Sequence, residues 1–444
     1  MLLSIKRSRL TFTNLRNFTV AAILFSVPFL IMLTKITQNK AGLYLLYILP
    51  AIAFPIVVFS RSRLSLPKAM LWPYLLLSGF AIANVISMVT SPTPLLSVRY
   101  LFATYSGVFL FALLVMKPTS PQTWQTILRL IYVTALISSA YSIYQQLFGQ
   151  PEFEDAWGSQ MGYVHGLDTF IGEARRSFGI ALYSSANSML ISVGLLIFYY
   201  FRKTGSLVKN ATLFMVLCLG LLYSQTRGIW LACLAALLAQ IYGTTPSASW
   251  KRIRLIFTYI LLLLSLIGLA YLASPTIRTR ILSFQGMLSD PNHPFMFRVL
   301  YWGELFQTTP IGILGSGPGA VGVIDNMYVN LLFSTGFVGL ICFLIFSASI
   351  LFQHRGPKKR MMANRILFES WALSRSVLIL FLMSFITGDY FESTPGNIYF
   401  WTILGGTFSV TAFLIRERTS CCPTDETNHC SSAEFGNYEN SLSD

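Results

Sequence analysis

Residues 327–352 read MYVNLLFSTGFVGLICFLIFSASILF, a run without a charged side chain. A helix needs roughly 20 mostly apolar residues to cross the hydrocarbon core of a bilayer. Similar runs recur along the chain between short polar connectors. The 444-residue chain is 54% hydrophobic and 11% charged, whereas a soluble domain carries about 25% charged residues. The sequence therefore predicts an all-α fold, a polytopic integral membrane protein, rather than a set of soluble domains.

We count about twelve candidate transmembrane helices, which form one domain over residues 1–415 with a large outer loop between spans nine and ten. The apolar run near the N-terminus is long enough to span and is predicted to be the first transmembrane helix. The predicted spans lie at about 18–34, 42–60, 71–90, 98–116, 127–148, 180–201, 210–225, 228–242, 254–273, 327–352, 374–391 and 396–415.

The C-terminal segment 416–444 is rich in Ser, Asn, Thr and acidic residues. This composition predicts a disordered cytoplasmic tail. The tail holds three cysteines and one histidine whose spacing matches no strong zinc pattern, so we expect no metal site there: Cys421, Cys422, His429 and Cys430.

The net charge of +15 is distributed as short clusters of Lys and Arg between the apolar runs. Alternate connectors carry these clusters when the N-terminus is cytoplasmic, as the positive-inside rule requires. Both termini are then cytoplasmic, and the long connectors 149–179 and 274–326 lie outside. Because the basic residues form no stripe on a soluble domain, nucleic acid is not an expected partner. Long ordered loops on a membrane scaffold are common places for function.

Seven arginines oppose this topological bias, because they fall at the outer ends of spans or in the outer loops. Arginine in or near lipid is costly and needs a partner. Any one of them can snorkel to lipid headgroups or pair with an acidic residue of the loops. As a set they favour a functional interpretation: Arg99, Arg175, Arg176, Arg227, Arg278, Arg280 and Arg298.

Arg227 lies in a tight hairpin, Ser224-Gln225-Thr226-Arg227-Gly228, between two apolar helices. A turn this short fixes the direction of the arginine. A guanidinium matches a phosphate bidentately, and the first N–H groups of the following helix add to an anion site. The hairpin therefore predicts a binding site for a phosphate group.

The second outer loop contains more order than a linker needs. Phe295, Arg298 and Trp302 are spaced to share one face of a short helix. This face either packs on the bundle or offers a platform for phosphate and sugar. Four glycines follow within 312–319, and so many glycines indicate special backbone angles or close backbone approach.

Asp325-Asn326-Met327-Tyr328 opens the span at 327. The plain interpretation of Asp325 is a helix cap that also interacts well with the helix dipole. The functional interpretation is a carboxylate at the membrane face that accepts a proton from an attacking sugar hydroxyl. Both roles are compatible in one residue.

Taken in order, these segments resemble the O-antigen polymerase and O-antigen ligase superfamily. Arg176–Gly179 followed by Ser185–Asn187 resembles the family's Arg-x-x-Gly and Pro-Asn segment, and Thr226–Gly228 resembles its Ser/Thr-Arg-Gly hairpin. Residues 298–319 resemble its Arg…Trp…Pro-x-x-Gly-x-Gly loop. Residues 325–340 resemble its His-Asn-x-Tyr-Leu…Gly-x-x-Gly-Leu segment. The likeness covers about 170–340, and the layout of spans covers the rest.

The chain departs from the family pattern at three positions. Asp325 stands where the family's ligases have His, and many of its polysaccharide polymerases resemble this chain in having Asp there. Ala186 replaces the Pro of the Pro-Asn segment, and Ser334 replaces a Glu of the last motif. The carboxylate therefore tilts the resemblance toward a polymerase.

The resemblance implies a metal-independent glycosyltransferase without a cofactor, at the outer face of a bacterial inner membrane. Its implied partners are undecaprenyl-diphosphate-linked oligosaccharides and the lipid bilayer, with a chain-length regulator as a further candidate. The expected catalytic residues are Asp325, Arg227 and Arg298, in which the arginines neutralise the pyrophosphate leaving group. The expected substrate-binding residues are Arg176, Arg99, Trp302, Asn326 and Tyr328.

Three alternatives remain open from the sequence. A ligase would pass the glycan to lipid A core or to another acceptor. A transporter or flippase would move the same lipid-linked sugar, but transporters place polar residues at the midplane and have related halves, whereas these spans are largely apolar and show no repeat. A purely structural role leaves the outer arginines unexplained.

Overall fold

The computed structural model describes residues 12–59, 71–116, 118–160, 170–171, 174–202, 206–244, 274–282, 294–322, 324–352, 365–388 and 394–421, together with scattered positions of 254–272. Almost all of these residues are helical. The two-residue strands β1 (Phe170–Ile171) and β2 (Ala174–Arg175) form an antiparallel pair in which Phe170 faces Arg175.

Fourteen helices are described. They are α1 Phe12–Thr37, α2 Ala41–Phe59, α3 Leu71–Val89, α4 Pro94–Val115, α5 Pro121–Phe148, α6 Glu152–Gln160, α7 Ser184–Phe201, α8 Leu207–Tyr223, α9 Arg227–Thr244, α10 Pro275–Leu282, α11 Pro294–Thr308, α12 Met327–Phe352, α13 Arg365–Ser384 and α14 Gly396–Cys421.

Nine of the described helices are long and apolar enough to cross a membrane, and α2 and α8 contain shorter apolar helices. The prediction of an all-α polytopic membrane protein is thereby confirmed. The described positions of the predicted span 254–273 are helical, but the count of twelve spans and the extent of the loop after it stay predictions. α14 continues as helix to Cys421, past the predicted start of the tail at 416, and residues 422–444 lie outside the described part.

The predicted span 374–391 is wrong in position, because α13 begins at Arg365 and ends at Ser384. The charged residues before position 374 are typical of a connector between spans. Arg365 instead pairs with Glu369 one turn later, at 3.1 Å between Nε and Oε1. Such pairs support a helix, so charge does not delay the beginning of this one.

The spans pack around two helices that are more buried than the rest. In α7 and in an 18-residue stretch of α14, 89% of the residues are buried, whereas the other spans keep a face outside the bundle. α14 packs along α4, α9 along α13, α12 along α3, and α8 along α5. Small residues permit the closest approaches: a Cβ on Gly406 would collide with the ring of Trp124. Tight contact through small residues is the usual basis of helix association in lipid.

α12 is interrupted at Gly336, where φ is 69° and ψ is −171°. The segment after α11 fills the break. Ser316 N donates to Phe333 O at 2.8 Å, Gly317 N to Ser334 O at 3.0 Å, and Val338 N to Ile313 O at 3.3 Å. Backbone polar groups need partners at membrane depth, so this glycine-rich segment and the broken helix satisfy one another.

The glycine expectation is confirmed at this segment. Gly317 and Gly319 have φ of 94° and 75°, which other residues rarely adopt. A Cβ on Gly315 would collide with the backbone of Ser334, and one on Gly319 would collide with the ring of Tyr100 in α4. The segment 312–319 is therefore held between α12 and the beginning of α4, and it fixes the connection from α11 to α12.

Candidate functional site

Arg227 is the first residue of α9 and follows a three-residue turn after α8. Gln225 is buried in this turn with φ of 56°. Trp230 Nε1 donates to Leu221 O at 2.8 Å across the hairpin, and Gly228 packs so closely on Thr387 that a Cβ would collide with it. The predicted hairpin is confirmed, and its contacts fix the position of the Arg227 backbone at the start of α9.

Arg176 is held beside this hairpin by its neighbours. Ser177 N donates to the carbonyl oxygen of Tyr223, the last residue of α8, at 3.1 Å. Gln150 Nε2 donates to Arg176 O at 2.9 Å. The backbone that carries Arg176 thus runs past the end of α8 and lies near the hairpin of Arg227, although the two arginines are 51 positions apart in the sequence.

Arg298 on α11 pairs with Asp325, which directly precedes the start of α12. The Arg298 Nε and Asp325 Oδ2 atoms are 2.9 Å apart. The two side chains keep 34% and 50% of their surface exposed. An ion pair exposed to this degree contributes little stability, about 0–1 kcal/mol, so both groups remain accessible to a ligand.

The three arginines lie close enough to interact electrostatically, since the charges of Arg176 and Arg298 both act on Arg227. Like charges repel, and among the described residues the carboxylate of Asp325 is paired with Arg298. A cluster of this kind attracts a multiply charged anion. We call the end of the bundle that carries Arg176, Arg227 and Arg298 the arginine end.

Asn326, and not Asp325, caps α12. Its Oδ1 accepts hydrogen bonds from Tyr328 N at 2.9 Å and Val329 N at 3.1 Å, and its Nδ2 donates to Ile386 O at 3.2 Å. Asn side chains are favoured at this position because they satisfy the first N–H groups of the helix. The interpretation of Asp325 as the cap is therefore wrong, and the carboxylate turns to Arg298 instead.

Tyr328 is engaged in packing between two helices. Its hydroxyl donates to Leu382 O at 2.7 Å, and its ring contacts Phe385 edge-on. Met327 N donates to Phe385 O at 3.0 Å in the same place. The predicted substrate-binding roles of Asn326 and Tyr328 stay predictions, and the contacts of both side chains give them a structural role in joining α12 to α13.

Trp302 lies on α11 one turn after Arg298 and is half-buried. It packs on a small apolar cluster of Leu305, Ile324 and Phe333. Its indole Nε1 is buried and has no hydrogen-bond partner among the described residues. The alternative in which this face of α11 packs on the bundle is thus confirmed for Trp302, while Arg298 turns to Asp325. The side chain of Phe295 lies outside the described part.

The other outer arginines do not join this cluster through any described contact. Arg99 is exposed on α4, 5.8 Å from the ring centroid of Tyr44. Arg278 donates to the carbonyls of Tyr271 and Leu272 at 3.3 and 3.4 Å. The side chains of Arg175 and Arg280 lie outside the described part.

A buried polar cluster beneath Arg176 escaped the sequence analysis. Lys35, Gln145 and Glu154 are all buried, and the Lys35 Nζ and Glu154 Oε1 atoms are 2.8 Å apart. Gln145 Nε2 donates to the second oxygen of Glu154. One available signal was Lys35 itself, a cation at the end of the first span where the positive-inside rule expects none.

No group of three or more His, Cys, Asp or Glu side chains comes together in the described residues, and metal-independent chemistry stays a prediction. Comparison with known proteins adds no relative: no family model matches the chain, and no curated protein matches it. The class that the fold defines is a polytopic helical membrane protein, and its described residues include a basic cluster with Asp325 paired to one of the arginines.

Proposed function

We propose that the chain is a polymerase that joins lipid-linked oligosaccharide repeat units at the outer face of the bacterial inner membrane. The observation that carries the proposal is that Arg298 pairs with Asp325 at 2.9 Å, while the charges of Arg298 and Arg176 both act on Arg227. These residues come from three separate segments of the chain. Snorkelling to headgroups would not by itself bring like charges within range of one another, because like charges repel.

The cluster suits a donor whose leaving group is a pyrophosphate. As the bond between the anomeric carbon and the pyrophosphate oxygen breaks, negative charge grows on that oxygen. Prepositioned guanidinium groups stabilise such charge, and removing one donor of this kind typically lowers the rate about 10²- to 10³-fold. Arg176, Arg227 and Arg298 would bind the pyrophosphate of undecaprenyl diphosphate as it leaves.

Asp325 would act on the acceptor. Its carboxylate would accept the proton of the sugar hydroxyl on the next lipid-linked unit, whose oxygen then attacks the anomeric carbon. A general base typically contributes about 10²- to 10⁴-fold in rate. The exposed half of Asp325 is where an acceptor hydroxyl would approach. Both substrates are lipid-linked, which accounts for an active site at a membrane face.

The test is the length of glycan in cells whose own copy of the gene is deleted. Wild type should restore long glycan, whereas Arg227→Ala and Asp325→Ala should leave single repeat units at equal membrane levels. Arg278→Ala is the matched control, because this arginine caps the preceding segment and should leave the length unchanged. Long glycan from both site variants would reject the proposed site.

A transporter of the same lipid-linked sugar is the second candidate, because α12 is broken at Gly336 and interrupted helices are common in transporters. The same cells separate the two. Loss of a transporter would keep single units on the cytoplasmic side, whereas loss of a polymerase would leave them outside. A ligase would instead be indicated by long glycan that is no longer passed to lipid A core or another acceptor.

A further inference from the structure

The segment from Arg176 to Ile180 has an unusually complete set of buried backbone partners. Gln145 Oε1 accepts from Phe178 N at 3.0 Å and from Gly179 N at 2.8 Å. Lys35 Nζ donates to Gly179 O at 3.0 Å. Ile180 N donates to Ser138 Oγ at 3.1 Å. The N–H groups of residues 178–180 and the carbonyl group of Gly179 are therefore each bound to a side chain from α1 or α5.

These side chains are themselves fixed by Glu154 on α6. Its two carboxylate oxygens accept from Lys35 and from Gln145, and all three groups are buried. A buried ion pair is costly unless further hydrogen bonds satisfy its remaining groups. Here the remaining groups are satisfied by the backbone of Phe178 and Gly179, so the pair and the turn depend on one another.

The turn packs tightly on the side chains of α5 and α7. Gly179 has φ of 52°, and a Cβ there would collide with Asn187 and Ser138. Asn187 is fully buried, accepts from Ser138 Oγ at 2.6 Å and donates to Ser142 Oγ at 2.7 Å. Polar networks that are fully satisfied hold a single geometry. This network holds the backbone that leads to Arg176, which lies at the arginine end.

We infer that Lys35, Gln145 and Glu154 are positioning residues that hold the Arg176 guanidinium in the anion site. The inference rests on the proposed function, in which Arg176 binds the pyrophosphate. None of the three side chains touches the ligand. They act through the backbone of Phe178 and Gly179, so their removal displaces Arg176 without removing a charge from the arginine end.

The experiment measures binding of inorganic pyrophosphate to the purified full chain in lipid nanodiscs. Lys35→Met alone leaves Glu154 buried without its cation, which is strongly destabilising, and that variant can fail to fold. The double variant Lys35→Met, Glu154→Gln removes both charges together, so it leaves no buried charge without its partner. Arg16→Met is the matched control, because Arg16 is an equally buried cation at the opposite end of α1, bonded to Thr119 Oγ1.

Arg176→Ala should weaken pyrophosphate binding roughly tenfold, as loss of one charged hydrogen bond does, and the double variant should weaken it to a similar extent. Combining the two should cause no further loss, because effects that act through one group are not additive. Arg16→Met should leave affinity unchanged. This non-additivity is a readout that a general loss of stability does not produce.

Three outcomes overturn the inference, and they differ from one another. If Arg176→Ala weakens binding while the folded double variant binds like wild type, the positioning role is rejected and the proposed anion site stands. If Arg176→Ala and Arg227→Ala both bind pyrophosphate like wild type, the proposed function loses its anion site, and the positioning role fails with it. An additive loss of pyrophosphate affinity in the combined variant would show that Lys35 and Glu154 do not act through Arg176, which also rejects the positioning role.

Discussion

At the scale of single residues, Asp325 and Asn326 are neighbours with different tasks. Asn326 satisfies the first N–H groups of α12, and Asp325 pairs with Arg298. Asp325→Asn keeps the size of the side chain and an acceptor oxygen for Arg298, but it removes the base. Glycan synthesis should fall about 10²- to 10⁴-fold with little change in thermal stability, as measured by rate and unfolding of the purified chain. An unchanged rate would reject Asp325 as the base.

Asn326→Ala should show the opposite pattern. Loss of a cap costs about 0.5–2 kcal/mol of stability, and the variant should unfold at a lower temperature in detergent. Its rate of glycan synthesis at a permissive temperature should stay within a few-fold of wild type. A large loss of activity without loss of stability would restore the predicted role of Asn326 in binding substrate.

Individual residues of the site could be predicted from the sequence, but their contacts could not. Arg227 and Arg298 were predictable because they oppose the charge bias of the connectors. The pairing of Arg298 with Asp325 was not, since 27 positions separate them and the loop between them has no periodic signal. Lys35 and Glu154 lie 119 positions apart, and nothing local in either segment indicates the other. Contacts of this range depend on the packed bundle.

At the scale of elements, the glycine-rich segment and the broken α12 form one unit. Gly315→Ala would place a Cβ against the backbone of Ser334 and should destabilise the chain by about 1–3 kcal/mol. Gly303→Ala is the control, because Gly303 lies in α11 with open space around it, and a helical Ala gains roughly 0.5–1 kcal/mol. Thermal unfolding in detergent measures both. Equal effects at the two positions would contradict the tight contact.

The same unit should lie within the hydrocarbon core of the bilayer, near its middle. Ile313 O bonds Val338 N, and Val338 is about 16 Å along α12 from its start, at 1.5 Å per residue. Ile313 is also 72% exposed, as expected for a side chain in lipid. The fluorescence of an Ile313→Trp variant, read against wild type, should be quenched by lipids brominated on their chains and not by aqueous iodide. Quenching by iodide would place the segment in water.

At the scale of the whole molecule, periodic apolar runs were enough to predict the helical membrane class, because a bilayer leaves few ways to satisfy a buried backbone. The position of α13 was predicted nine residues late at its start, since paired charges such as Arg365 and Glu369 look like a connector. The break in α12 was also missed. Gly336 lies in an apolar run, and only its contact with a distant loop explains its conformation.

We propose that the arginine end, together with Asp325, catalyses the transfer of glycan between lipid-linked units. The most direct measurement uses the purified chain in nanodiscs with lipid-linked single repeat units extracted from cells that lack it. Wild type should produce a ladder of longer glycans and release undecaprenyl diphosphate, and Arg278→Ala should do the same. Arg227→Ala and Asp325→Asn should produce neither the ladder nor undecaprenyl diphosphate. A ladder of equal length from the two site variants, or none from folded wild type, would contradict it.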